Sequence, residues 1–205
     1  YLRARGSEVI EELPLARVEN QAYIHYEKGA LAMWWAKEAM GADVVDRALQ
    51  RLVRQYAFKP APYPTSRDFL TLLREEAGPA HEQLITDLFE KITLYDMQAS
   101  EATATKRPDG RYEVRFTVQG RKMHADGKGQ QTDAALDEPF ELGAFSAEPG
   151  KKGFSAASVL AFERRRLGTG RTEVTLLTAR APTHVGVDPY NKRIDRSSDD
   201  NVTAV

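Results

Sequence analysis

The feature that most constrains this chain is a single change of hydrophobic period near Tyr95-Asp96. Before it, apolar residues recur at three- and four-residue spacing, as the buried stripe of a helix does. After it, they alternate with polar residues, as a strand with one wet face requires. Runs of helices followed by runs of strands make an α+β protein. The spacing therefore predicts a helical layer over residues 1–97 and an antiparallel β-sandwich over residues 98–205, with a polar C-terminal tail.

Four helices are expected in the first part. One runs from Tyr26 to Met40, with Ala30, Met33 and Trp34 at helical spacing and Gly41 as its C-cap. Asp43 would cap a second reaching about Phe58, with Val44, Ala48, Leu52, Val53 and Tyr56 on its apolar face. Lys59 to Pro64 holds three prolines and reads as a stiff connection. Thr65 and Asp68 then form a capping box for a third helix carrying Phe69, Leu72 and Leu73 and ending near Gly78. Pro79 opens a fourth, with Leu84, Ile85, Leu88 and Phe89 on its buried side. In the second part, Arg111 to Val118, Glu138 to Phe145, Ser158 to Leu167 and Arg171 to Thr178 read as strands, separated by Gly- and Pro-rich turns. The segment from His184 to Val202 is mostly polar and is expected to form a short strand and then a docked or loose tail.

Charge and composition exclude several classes. The 205 residues carry 29 Lys and Arg against 30 Asp and Glu, so no field would gather nucleic acid or an anionic membrane. Cysteine is absent, which removes disulfides, thiolate metal sites and thiol nucleophiles. No run reaches the ~20 apolar residues of a membrane span, so the chain is expected to be soluble as given. It begins with Tyr1, which suggests a piece of something longer.

Candidate chemistry is sparse. His81-Glu82 begins like the zinc helix H-E-x-x-H, but Ile85 stands where the second histidine would be, and the four histidines are scattered. No metal ligand is assigned within this chain. The acidic pairs Glu11-Glu12, Glu75-Glu76 and Asp199-Asp200 read as solvated surface. No nucleophile elbow, Walker loop or dinucleotide fingerprint occurs. There remains "QAYIHYEKGALAMWW", Gln21 to Trp35, which crowds Tyr23, His25 and Tyr26 ahead of a hydrophobic helix. A phenol at a helix N-terminus could donate to a developing oxyanion, since it keeps its proton at neutral pH and adds no charge to the ground state. Equally, Tyr23 and Tyr26 could pack under the next helix.

The stretch "YEKGA", Tyr26 to Ala30, followed by "MGADVVDRALQRLVRQYAFKPAPYPTSRDFLTLLREEAG", resembles the aminopeptidase N family of zinc peptidases downstream of their metal-binding helix. "PLARVENQAYIHYEKGA", "DLFEKITLYD" and "VDPYNKRIDRSSDDN" are similar to a bacterial branch in which such a peptidase is joined to an ABC-transporter-type permease. The resemblance implies that the helical layer is the end of a thermolysin-like catalytic domain. It also implies that Tyr26 stabilises the tetrahedral intermediate and that zinc belongs to the intact parent, held by H-E-x-x-H and a later glutamate. This chain has neither ligand set, so no cofactor is expected in it and it should not hydrolyse peptides alone. The expected partners are a peptide substrate, the remainder of the catalytic domain and a membrane permease domain, in a membrane-associated parent. A non-catalytic interaction or scaffolding module, docking such a permease, is the alternative.

Overall fold

The computed structural model describes residues 1–205 and is α+β, with helices first and antiparallel sheets after. No helix is long and apolar enough to cross a membrane. The chain divides into two compact units: residues 1–93 with 124–131, and residues 94–123 with 132–205.

In the first unit a short helix α1 (Leu2–Arg5) and irregular chain lead to a π-helical turn, Tyr23–Lys28, which runs directly into α2 (Gly29–Met40). Gly41 ends α2 at φ +98°, a conformation glycine adopts without steric cost, and α3 (Ala42–Tyr56) starts at once. Asp43 is therefore not the cap expected of it. It lies inside the first turn and pairs with Arg47 at 2.7 Å, one turn on. The capping box at Thr65 and Asp68 forms as expected and opens α4 (Ser66–Ala77). Pro79–His81, α5 (Glu82–Ile85) and a second π-helical turn, Thr86–Glu90, complete the helices.

The core of this unit gathers Ala32, Ala36 and Met40 of α2 with Val45, Ala48, Leu70, Leu73, Ile85 and Phe89. The buried stripe of α2 is thus Ala32, Trp35, Ala36 and Met40, rotated from the expected Ala30, Met33 and Trp34. Trp34 is 62% exposed. Apolar residues occur all round this helix, so spacing alone could not select its buried side.

Strand formation starts at Ile92, earlier than the period change suggested, in a 15-residue strand β1 (Ile92–Lys106). A turn closed by the Arg107 N–H donating to the Arg111 carbonyl leads to β2 (Tyr112–Ala125). Next come β3 (Gln131–Ala134), β4 (Asp137–Phe145), β5 (Val159–Gly168), β6 (Gly170–Thr178), β7 (His184–Val187) and β8 (Val202–Ala204). One sheet runs β1-β2-β3 with β6 also on β2; the other runs β5-β4-β7-β8. The β2–β6 register pairs Phe116 with Val174 and Val114 with Leu176, and β4–β7 pairs Ala144 with Val185 and Leu142 with Val187. These inward residues from both sheets share one core with Met97, Val118, Phe140 and Leu167, as a sandwich does.

The polar tail is docked. Residues 194–196 run alongside Tyr95, whose N–H donates to the Ile194 carbonyl and whose carbonyl accepts from Arg196, each at 2.9 Å. Asp195 accepts from the Met97 and Ser197 N–H groups at 2.9 Å each, and Asp188 from those of Lys192 and Arg193 at 3.1 and 2.8 Å. Those buried carboxylates convert a polar stretch into part of the sandwich, because each supplies acceptors to backbone N–H groups that would otherwise be unpaired.

Candidate functional site

Tyr26 lies in the π-helical turn, and the sequence expectation that it marks a helix N-terminus does not hold. The helical run opens four residues earlier, where the Ile24 and His25 N–H groups donate to the Gln21 carbonyl at 3.0 and 3.2 Å. The Gly29 N–H reaches back five residues to the Ile24 carbonyl, which is the π spacing. Since the helix dipole acts only within its first turn, the terminus adds little at Tyr26. The donor at this position is the phenol hydroxyl itself.

The turn sorts its side chains by burial. Ile24 and Lys28 point inward, whereas Tyr26 is 73% exposed and leans on the His25 imidazole with ring centroids 4.5 Å apart. Tyr23 takes a third direction, stacking on Tyr1 at 6.0 Å, with a buried hydroxyl that has no hydrogen-bond partner. Tyr23 and Tyr26 therefore do not form one packed pair. The first belongs to the interior cluster and the second to the surface.

Beneath the turn lies a charged cluster that the sequence did not foretell. Glu12, read as solvated, is 5% exposed, and Lys28 is 1% exposed. Arg5 Nε donates to the Glu12 carboxylate at 2.5 Å, the Tyr1 hydroxyl donates to its other oxygen, and the Lys28 ammonium stands 3.7 Å away. At that distance the Lys28 contact is an ion pair without a hydrogen bond, and Nζ has no acceptor within the chain. Lys28 also lies over the Tyr1 ring, 5.4 Å from its centroid. Burial lowers the Lys28 pKa to about 8, against the opposing pull of Glu12. Burial and the Glu12 carboxylate together hold the Tyr1 hydroxyl far above the usual phenol range.

Glu12 is itself fixed by backbone. Its N–H donates to the Gly127 carbonyl at 2.9 Å, and a Cβ on Gly127 would fall 2.1 Å from the Glu12 carbonyl oxygen. Gly127, at φ +83°, is thus required both for its conformation and for the close approach. Asp126 shapes this loop by accepting from the Lys128 and Gln130 N–H groups at 2.8 and 3.0 Å. Arg5, Glu8, Glu12, Tyr23, Gly127 and Lys128 border a cleft of about 430 Å³.

The remaining candidates resolve into structure. Glu82 pairs with Arg74 at 2.8 Å, and His81 bonds through Nδ1 to the Ala77 carbonyl at 2.9 Å, as expected of an exposed helix start. Glu76 bridges Arg47 and Arg51 at 2.8 and 2.9 Å, and Glu75 meets Arg51 at 2.5 Å. His124 contacts the buried Asp87 at 2.9 Å. In the second unit Glu138 accepts from the Tyr95 hydroxyl at 2.9 Å and from Lys122 at 2.6 Å, while the buried Arg193 guanidinium stacks 4.8 Å from the Phe140 centroid. Within the second unit, Glu138, Tyr95 and Phe140 thereby hold Arg193 of the docked tail.

No group of three or more His, Asp or Glu side chains is arranged to hold a metal ion, so the residues of this chain do not by themselves fit a zinc site. No protein-family model and no curated protein matches the chain.

Proposed function

We propose that the chain is the C-terminal portion of a zinc aminopeptidase-like protein, contributing an oxyanion-stabilising tyrosine and a β-sandwich. The observation that carries this reading is the placement of Tyr26. Within the Tyr-Glu-Lys-Gly stretch, its ring faces solvent while both flanking inward residues are anchored, so its hydroxyl is free to meet a substrate. Such π-helical turns occur mostly as single-turn insertions and are frequent at functional sites.

The role follows from the chemistry of the group. When a peptide carbonyl is attacked, its oxygen gains charge, and a neutral hydroxyl held in place stabilises that charge more than it stabilises the ground-state carbonyl. Tyr26 supplies that hydrogen bond and does not act as a base. In this reading a metal would be held by residues of the parent outside this chain, where it would supply Lewis-acid chemistry.

The first test is to read the coding sequence upstream of Tyr1. H-E-x-x-H followed about twenty residues later by a glutamate supports the peptidase; decayed ligands there favour a non-catalytic module instead. The second is kinetic. In the intact parent Tyr26→Phe should lower kcat by roughly 10²-fold or more, the range of a lost oxyanion donor. An unchanged kcat ends the assignment.

A further inference from the structure

Lys28 poses a physical problem. An ammonium group at 1% exposure has lost its hydration, yet its nearest carboxylate, Glu12, stands 3.7 Å away and forms no hydrogen bond with it. Burying a charge with so little compensation costs stability. Its lowered pKa expresses the same cost. A methionine would fill the space without that desolvation cost but would take one cation from the buried Glu12 carboxylate, so the pair holds the turn locally at a cost to the chain as a whole.

Its location suggests why. Lys28 and Tyr26 are two residues apart on one helical turn, and side chains at that separation do not share a face. One is anchored inside and the other projects out. The anchor continues beyond Lys28: Glu12 is gripped by Arg5 and the Tyr1 hydroxyl, and its backbone is tied to Gly127. The loop around Gly127, Glu12, Lys28 and the turn bearing Tyr26 thus form one continuous chain of contacts.

We propose that Lys28 is a positioning residue for Tyr26, and that its ion pair with Glu12 locks the inward side of the π-helical turn and so fixes the backbone from which the Tyr26 side chain projects. A charge pair suits this task because its attraction persists over a range of distances and resists rotation of the turn about the helix axis. A methionine would pack there but would not be drawn toward one point. The inference rests on Tyr26 being the oxyanion donor, and it extends that reading to a residue with no contact to the substrate.

Two measurements test it. The first uses this chain alone and follows amide hydrogen exchange. Lys28→Met should speed exchange of the amides in the Tyr23–Lys28 turn by roughly tenfold while leaving those of α3 unchanged, and Lys28→Arg should restore the slow exchange. Unaltered exchange in the turn, or equal acceleration throughout the helical unit, overturns the lock. Lys28→Gln serves the same purpose if the methionine variant does not fold.

The second is a double-mutant cycle in the parent peptidase, with a chromogenic aminoacyl anilide as substrate. Lys28→Met should reduce kcat by roughly 10- to 100-fold with KM within about twofold, as expected when a reacting group is misplaced and not removed. In the Tyr26→Phe background the same substitution should cost almost nothing further, because its effect passes through the hydroxyl. An undiminished loss in that background overturns the proposal. A wild-type parent with intact zinc ligands and no peptidase activity would instead sink the reading of Tyr26 as a catalytic residue, leaving the exchange measurement to decide the lock.

Discussion

Replacing Lys28 with methionine should abolish a gain in stability that the wild-type chain shows as pH rises above neutral. The Lys28 pKa is about 8 in the folded state against 10.5 for an ordinary lysine. Below pH 8 the side chain is protonated whether folded or unfolded, and its burial penalty is present in full. Above pH 8 the folded state sheds the proton while the unfolded state keeps it until about pH 10.5, so the unfolded chain binds more protons and stability climbs with pH. Between pH 7 and 9.5 the increase should be about 2 kcal/mol, or roughly 4–8 °C in Tm for a chain of this size. Both tryptophans, Trp34 and Trp35, lie in the first unit, so their fluorescence during urea unfolding reports on the right part of the molecule. Comparison with Lys28→Met cancels most other titrations. The expected result is a wild-type stability that gains about 2 kcal/mol on the variant across this range. Parallel pH curves for the two proteins would show that Lys28 is not a buried ammonium, and the argument from its cost would fall.

Asp188 gives the opposite window. Burial pushes its pKa up to about 6, against hydrogen bonds from the Lys192 and Arg193 backbone, so its contribution is full below about pH 4 and is lost as pH rises through 6. The urea midpoint of the wild-type sandwich should fall over that interval by an amount worth up to about 3 kcal/mol, and Asp188→Asn should remove this fall; a variant with an undiminished slope would exclude Asp188 as its source. Gly127→Ala must move backbone against the Glu12 carbonyl and adopt a positive φ, so it should destabilise the first unit by roughly 2 kcal/mol in thermal melts read by tryptophan fluorescence. A change under about 0.5 kcal/mol would contradict the close approach. Tyr26→Phe should leave stability within about 0.5 kcal/mol, given the exposure of the ring, and a larger loss in calorimetry would mark Tyr26 as a packing residue.

The α+β order, the Thr65–Asp68 capping box, the Gly41 stop and four of the strands were legible in the residues, because each depends on neighbours a few positions away. Spacing of apolar residues reports burial on one side of a helix or strand, and a cap or turn needs only local hydrogen bonds. The face of α2 was not legible, since a helix apolar all round takes its orientation from what packs on it. The Tyr-Glu-Lys-Gly stretch singled out Tyr26, yet its π-helical setting depends on a hydrogen-bond shift that leaves no mark in hydropathy.

The charged groups show the division most clearly. Glu11 and Glu12 are identical neighbours in sequence, and only the fold decides that the second is buried beneath Lys28, against a loop more than a hundred residues further along. In the tail, whose polarity left it open whether it docks, Asp188, Arg193 and Asp195 are interior residues, because Met97, Pro139 and Glu138 approach Asp195 and Arg193 from distant strands. A charge can be buried only where its partners converge. Partners brought together by tertiary folding carry no local signature, whereas hydrophobic period and capping belong to the chain segment itself.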